Sequence, residues 1–270
     1  MSQQLIVNAD DLGLSPGVNR GILEAHQRGI LTSTTAMVNM PDAEAGIRLL
    51  QREAPQVGIG LHITLTTGRP VLPPEQVPSL VDEDGMFPYI MDDPLARADR
   101  MQADEIRAEI RAQFARFVEL AGHKPDHLDS HHHAAYHIPA AFQTLLELAD
   151  EHHLPIRNAC DWLTDESLDA PRYDVLRQML ASRPAPRWPD HFETSFYDAG
   201  ATLDHLRSIL TNLPEGVTEL MCHPGYYDGF PMYYAAQRNT EVAVLTDPSV
   251  RALVAERGIE LVAFAEAINS

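Results

Sequence analysis

Short apolar runs alternate with amphipathic stretches along most of the chain, the pattern of a mostly parallel sheet or barrel wrapped by helices. The first unit is the clearest. Leu5 to Ala9 reads as a buried strand, Ser15 as a helix cap with Pro16 at the first helical position, Val18 and Ile22 as one helical face, and Gly29 as its end. Ser33 to Asn39 and Val57 to Leu65 predict the next strands, rich in β-branched residues. Ile106, Ile110, Phe114, Phe117 and Val118 form an apolar stripe at helical spacing that ends at Gly122. Pro125 to Ser130 predicts a short strand, residues from Pro139 to His152 a helix, and Leu154 to Asn158 another strand. Helices follow around Tyr173 to Ala181 and Leu203 to Leu213, then a strand from Thr218 to Cys222. Asp247 caps a helix with Pro248 at its first position and Gly258 at its end, and Ile259 to Phe264 reads as the last strand.

Residues 66–101 interrupt the rhythm. Pro70, Pro73, Pro74, Pro78, Pro88 and Pro94 lie among glycines and acids, which predicts a long loop inserted into the barrel and placed as a lid over a site. No internal repeat or linker divides the chain, so residues 1–270 are expected to form one barrel domain.

Charge narrows the partners. Lys and Arg total 20 against 39 Asp and Glu, a net −19. Nucleic-acid binders carry a basic footprint that is missing here, and a neutral or cationic substrate suits the field better than an anion. Cys160 and Cys222 fit no metal or redox spacing and read as small buried residues. No apolar stretch reaches membrane-spanning length, and the first residues lack a leader pattern, so the cytoplasm is the expected compartment.

Chemistry gathers where strands end. Asp10 and Asp11 close the first strand, His62 falls near the end of the third, and His127-Leu-Asp129-Ser-His131-His132-His133 follows a fourth. Strand ends carrying carboxylates and imidazoles are where barrels assemble metal sites. A metal hydrolase needs ligands that leave an open position, a base for water and an acid for the leaving group. Adjacent carboxylates can divide the first two tasks. Asp129 is placed to orient a ligand histidine, and only one or two of the clustered histidines can reach a single ion. His223, fixed ahead of Pro224-Gly225, can serve as the acid, because an ordinary imidazole titrates near neutrality, at about 6.5. Each feature has a plainer explanation: acids favour helix starts, and histidines also cap and fill cores. Tyr226, Tyr227, Phe230, Tyr233 and Tyr234 suit contact with a sugar, and an oligomer contact, a homodimer being the simplest case, explains them equally well. No GxSxG, P-loop or GxGxxG is present.

Together, Leu5-Ile-Val-Asn-Ala-Asp-Asp11-Leu-Gly, Thr32-Ser-Thr-Thr35, Gly60-Leu-His62, His127 to His133 and Met221-Cys-His-Pro224 resemble the YdjC/ChbG carbohydrate deacetylases. The resemblance implies a (β/α) barrel related to the NodB-type polysaccharide deacetylases. It also implies removal of N-acetyl groups from chitooligosaccharides or similar amino sugars, with one divalent metal ion. On that resemblance Asp11, His62 and His131 are the metal ligands, Asp10 the water-activating base and His223 the acid. It leaves His132 and His133 open between ligand and substrate contact. Tyr226 lies just past the part it covers, among residues open to substrate. One carboxylate and two imidazoles suit zinc, and magnesium remains open. The competing readings are a metal-dependent phosphoesterase, for which Arg20, Arg69 or Arg157 would have to serve the phosphate, and a sugar- or metal-binding protein without activity.

Overall fold

A computed structural model describes residues 2–88, 98–160, 171–229 and 234–268. In chain order its elements are β1 (Gln3–Leu12), α1 (Pro16–Arg28), β2 (Ser33–Ala36), α2 (Ala43–Glu53), β3 (Gly58–Ile63), α3 (Ala103–Ala121), β4 (Leu128–Ser130), α4 (Ala134–His137) and α5 (Pro139–His152). There follow α6 (Pro171–Ala181), β5 (His191–Glu193), α7 (Leu203–Thr211), β6 (Gly216–Cys222), α8 (Ala235–Leu245), α9 (Pro248–Arg257), β7 (Glu260–Leu261) and α10 (Phe264–Ile268).

All ladders are parallel and run β4-β3-β2-β1-β6-β5, with β7 also on β1. Parallel strands need crossover helices on their outer side, which explains the alternating pattern. Leu5, Val7 and Ala9 on β1 and Leu61 and Ile63 on β3 are fully buried in the main apolar core. Ile6, Val217, Val262 and Phe264 form a separate apolar floor. Above that floor the strands turn polar side chains to one another, and this polar layer positions the site.

The fold is the expected distorted (β/α) barrel. The stretch Leu154 to Asn158 forms no full strand. A single bridge joins Ile156 to Leu128, while Ile156 N–H donates to Arg187 C=O at 2.8 Å and the Asn158 side-chain amide to Pro189 C=O at 3.2 Å. An irregular segment thus closes the gap between β4 and the approach to β5. The last strand is likewise only two residues long, because α10 begins at Phe264.

Several helix ends follow the sequence chemistry. Ser15 accepts from Val18 N–H, Asp247 accepts from Ser249 N–H at 2.8 Å, and Gly122 and Gly258 end their helices in the left-handed region. The 66–101 insertion is anchored where it is described. Glu109 accepts from Val71 and Leu72 N–H at 2.9 and 3.0 Å, Glu105 accepts from Ser79, and Val77, Leu80 and Phe87 are buried. Its middle, residues 89–97, lies outside the described residues, as do Phe230 and Tyr233. Among the described residues no helix is long and apolar enough to cross a membrane.

Candidate metal centre

In a regular strand, neighbouring side chains point to opposite faces, so Asp10 and Asp11 should diverge. They do not. The register between β1 and β2 slips by one residue between Ala9 and Leu12, and Asp11 sits there at φ 73°. This bulge turns both carboxylates into the barrel mouth. The left-handed backbone suits a short polar side chain far better than a branched one.

Two successive left-handed residues, His132 at φ 53° and His133 at φ 54°, do the same for the histidine run. His131 faces Asp11, with Nδ1 3.0 Å from Asp11 Oδ1 and 3.3 Å from His62 Nε2. His62 Nε2 lies 3.4 Å from Asp11 Oδ1, which closes a triangle of three buried donor atoms. Ligands about 2.0–2.2 Å from one ion at tetrahedral or octahedral angles lie about 3–3.5 Å apart, so the triangle has the edge lengths one ion requires. Asp11 Oδ1 is buried with the His131 and His62 nitrogens 3.0 and 3.4 Å away and no other hydrogen-bond partner among the described residues, while its Oδ2 is bound by Arg238 of α8. One oxygen of Asp11 is thereby committed and the other is left for a ligand role.

The atoms behind the triangle are set for the same purpose. His62 Nδ1 lies 2.6 Å from Asp129 Oδ1, and Thr35 donates to Asp129 Oδ2 at 3.1 Å. This pairing presents Nε2 of His62 to the triangle. His131 Nε2 in turn meets the Thr67 hydroxyl at 3.1 Å.

Electrostatics point the same way. Three aspartates, Asp10, Asp11 and Asp129, face two guanidiniums, Arg157 and Arg238, and the buried Glu219 shares Arg157 as well, so negative groups outnumber positive ones in the pocket. Burial opposes a charged His62, yet Asp129 and Asp10 outweigh it and lift the imidazole to about 10. Without an ion, the proton on His62 offsets part of that deficit. The residues present fit a divalent cation in donor type, spacing and charge.

Asp10 lies beside the triangle. Arg157 binds both its oxygens, Nη2 to Oδ1 at 2.6 Å and Nη1 to Oδ2 at 2.9 Å. The same guanidinium reaches Asp129 Oδ2 at 3.0 Å and Glu219 Oε1 at 2.7 Å, and it is wholly buried. Burial works against ionisation of Asp10, but Arg157 overrides it and holds the carboxyl far below its usual range. Glu219 Oε1 also accepts from Nε of Arg157 at 2.8 Å, yet burial outweighs that contact and pushes its carboxyl up to about 7. The sequence offered Arg157 only as one of three unplaced phosphate partners. Its structural role is to tie three carboxylates together, so neither buried guanidinium is free to receive an anion.

His223 Nε2 stands 3.7 Å from Asp10 Oδ2. Its backbone N–H donates to Glu241 of α8, and its Nδ1 is buried without a partner among the described residues. Burial brings the imidazole down to about 4, against the pull of Asp10. The free protein therefore carries a neutral His223, not the half-protonated ring its unperturbed chemistry suggests.

Other members of the expected set separate. His132 stacks on His131 with centroids 3.9 Å apart and meets the Thr66 hydroxyl at 3.0 Å. His133 turns toward Phe192 and Tyr136, and burial lowers it to about 3. Neither belongs to the triangle. His127 sits below the polar layer, stacked on Phe264 at 3.8 Å, in room left by the missing side chain of Gly60. Tyr226 requires a correction: its hydroxyl donates to Glu24 of α1 at 2.6 Å, because its backbone N–H is tied to Gly17 C=O and the chain there runs along α1. Among the described rings of that cluster, Tyr234 reaches His223, at 5.7 Å.

The family model described as YdjC-like protein matches residues 4–256. A carbohydrate deacetylase of Geobacillus stearothermophilus is 42% identical over 271 residues, covering 98% of each chain. A chitooligosaccharide deacetylase of Proteus mirabilis is 38% identical over 267 residues, covering 97% of each. Among solved structures, an Enterococcus faecalis protein described as a candidate for cellobiose-phosphate cleavage superposes with TM-score 0.85 at 35% identity, covering 98% of this chain and 99% of that one.

Proposed function

The chain belongs to the YdjC-like protein family, and we propose that it removes acetyl groups from N-acetylated amino sugars such as chitooligosaccharides. The observation that carries this reading is the buried triangle of Asp11, His62 and His131, with Asp10 and His223 on its border. The names of its deacetylase relatives support the same chemistry. Asp11, His62 and His131 would hold one divalent ion, zinc by the softness of two imidazoles or magnesium as the alternative. When bound, the ion polarises the acetyl carbonyl and makes water easier to deprotonate.

The chain's own groups supply the proton path. Asp10 stays ionised, so it accepts a hydrogen bond from water and takes its proton as the oxygen attacks the amide carbon. Arg157 makes a proton costly to keep on Asp10, which favours its passage to neutral His223. Charged in that step, His223 donates to the departing amine nitrogen as the C–N bond breaks. Acetic acid and the amine leave, separating in water as acetate and the ammonium form, and His223 is neutral again.

The test is acetate release from N,N′-diacetylchitobiose after chelation and then with zinc or magnesium restored. Ion-dependent acetate is expected. Asp10→Asn should keep the ion and lose roughly 10²–10⁴-fold in turnover. Wild-type turnover by that variant would remove Asp10 from the base role, and no acetate with either ion would overturn the substrate class.

A further inference from the structure

Four large apolar side chains stand exposed among the described residues: Val118, Val175, Tyr197 and Tyr227. Tyr197 alone of these is in ring contact with a residue of the site. It follows β5 and opens the turn Asp198–Gly200, and it remains 42% exposed. We propose that its outward face is a subsite for a second pyranose ring, next to the sugar whose acetamide enters the metal centre. The proposal rests on the deacetylase reading and extends it to substrate length.

Tyr197 is built as a rigid platform. Its ring stacks on Tyr234 with centroids 4.4 Å apart and planes 5° from parallel. Tyr234 is itself buried and pinned through its hydroxyl, which donates to Glu241 at 2.7 Å and accepts from Asp198 N–H at 2.6 Å. One face of Tyr197 is therefore covered by a fixed ring, and the exposure belongs to the rest. Holding the ring in place before binding spares the ordering cost that a mobile side chain would incur.

Its position relates it to the reaction. His223 presents an edge to Tyr197 at 5.4 Å and to Tyr234 at 5.7 Å, while its Nε2 looks to Asp10. The proposed acid lies between the metal centre and the aromatic face. A sugar with its acetamide at the centre has its neighbour over Tyr197. The chemistry of the two surfaces matches: a pyranose carries a face of C–H groups, and the face of an aromatic ring is electron-rich. Glu241 thus serves both parts of the site, holding the His223 backbone with one oxygen and the platform's base with the other.

Calorimetric binding to metal-free protein tests the platform without turnover. N,N′-diacetylchitobiose and N-acetylglucosamine would be titrated into wild type, Tyr197→Phe and Tyr197→Ala, with thermal melting as a control on folding. Tyr197→Phe should bind both sugars nearly as wild type does. Tyr197→Ala should weaken the disaccharide about tenfold, near the upper end for one aromatic contact, and the monosaccharide by less than about twofold. Unchanged disaccharide binding by Tyr197→Ala, or equal loss for both sugars, would overturn the second-ring placement. Binding lost in Tyr197→Phe as fully as in Tyr197→Ala would assign the effect to the hydroxyl and overturn the platform. A wild type that binds the disaccharide but releases no acetate with any ion would refute the deacetylase reading alone. One that binds neither sugar would refute the platform, while acetate release with zinc or magnesium restored decides the deacetylase reading separately.

Discussion

An ion entering the triangle must replace the proton that His62 holds in the metal-free protein. Burial disfavours that proton, but Asp129 at 2.6 Å and Asp10 at 4.0 Å more than compensate, and the ring is raised to about 10. At pH 8 about one molecule in a hundred then has a neutral His62, and the apparent affinity for an ion is about a hundredfold below its limit. An unperturbed imidazole at about 6.5 would already be almost wholly neutral there. Zinc titrated by calorimetry in buffers of different ionisation enthalpy should therefore release about one proton from His62 at pH 8. Deprotonation of ion-bound water adds to that count, so Asp129→Asn is the internal reference: it removes the main charge supporting the imidazolium and should release distinctly less. Long-range proton–nitrogen NMR of the metal-free protein reads the ring directly and should find both His62 nitrogens protonated at pH 8. A neutral His62 there, or equal proton release by wild type and Asp129→Asn, would refute the charge-deficit argument. The sign for stability follows from the raised value. The His62 contribution to the metal-free fold is complete below about pH 6.5 and disappears as pH rises through about 10.

Arg157→Met should destabilise the protein by about 3–5 kcal/mol in urea titrations, because it leaves Asp10, Asp129 and Glu219 together without their shared cation; a loss under about 1 kcal/mol would show that the network is not held by Arg157. At Gly21 an added Cβ would lie 2.4 Å from Gly225 Cα, in the loop that carries His223. Gly21→Ala should cost about 1–3 kcal/mol and lower turnover while ion affinity stays near wild type, and unchanged kinetics would place His223 outside the reaction.

The alternating barrel was legible because most strands are buried on both faces and most helices on one. Asp11, His62, His131, Asp10 and His223 were legible by their positions at strand ends. What escaped has physical causes. The α8 helix buries Arg238 and Glu241 along with Val242 and Leu245, so its inward face reads as polar and conceals the helical period. At only three residues, β5 is too short to alternate. A reachable signal was passed over at α2, where Ala43, Ile47 and Leu50 recur at helical spacing. Arg157 was invisible as a network centre because its partners, Asp10, Asp129 and Glu219, come from three separate strands. The convergence of Asp10 and Asp11 depends on a bulge that nothing in the local composition announces. Tyr226 was placed by proximity to His223, whereas the chain's course along α1 took it elsewhere.

The left-handed backbone at Asp11 also constrains how such a protein can change over time. Few L-residues occupy that conformation comfortably, and asparagine and aspartate are foremost among them. Asparagine at this position could keep the bend, the burial and a polar partner for Arg238 while giving up the carboxylate that faces the histidines. If Asp11 holds the ion as proposed, a descendant with that asparagine would lose the reaction and keep the whole barrel and its aromatic face. On the same reading, restoring that single carboxylate would reverse the step, so one side chain would separate catalyst from binder.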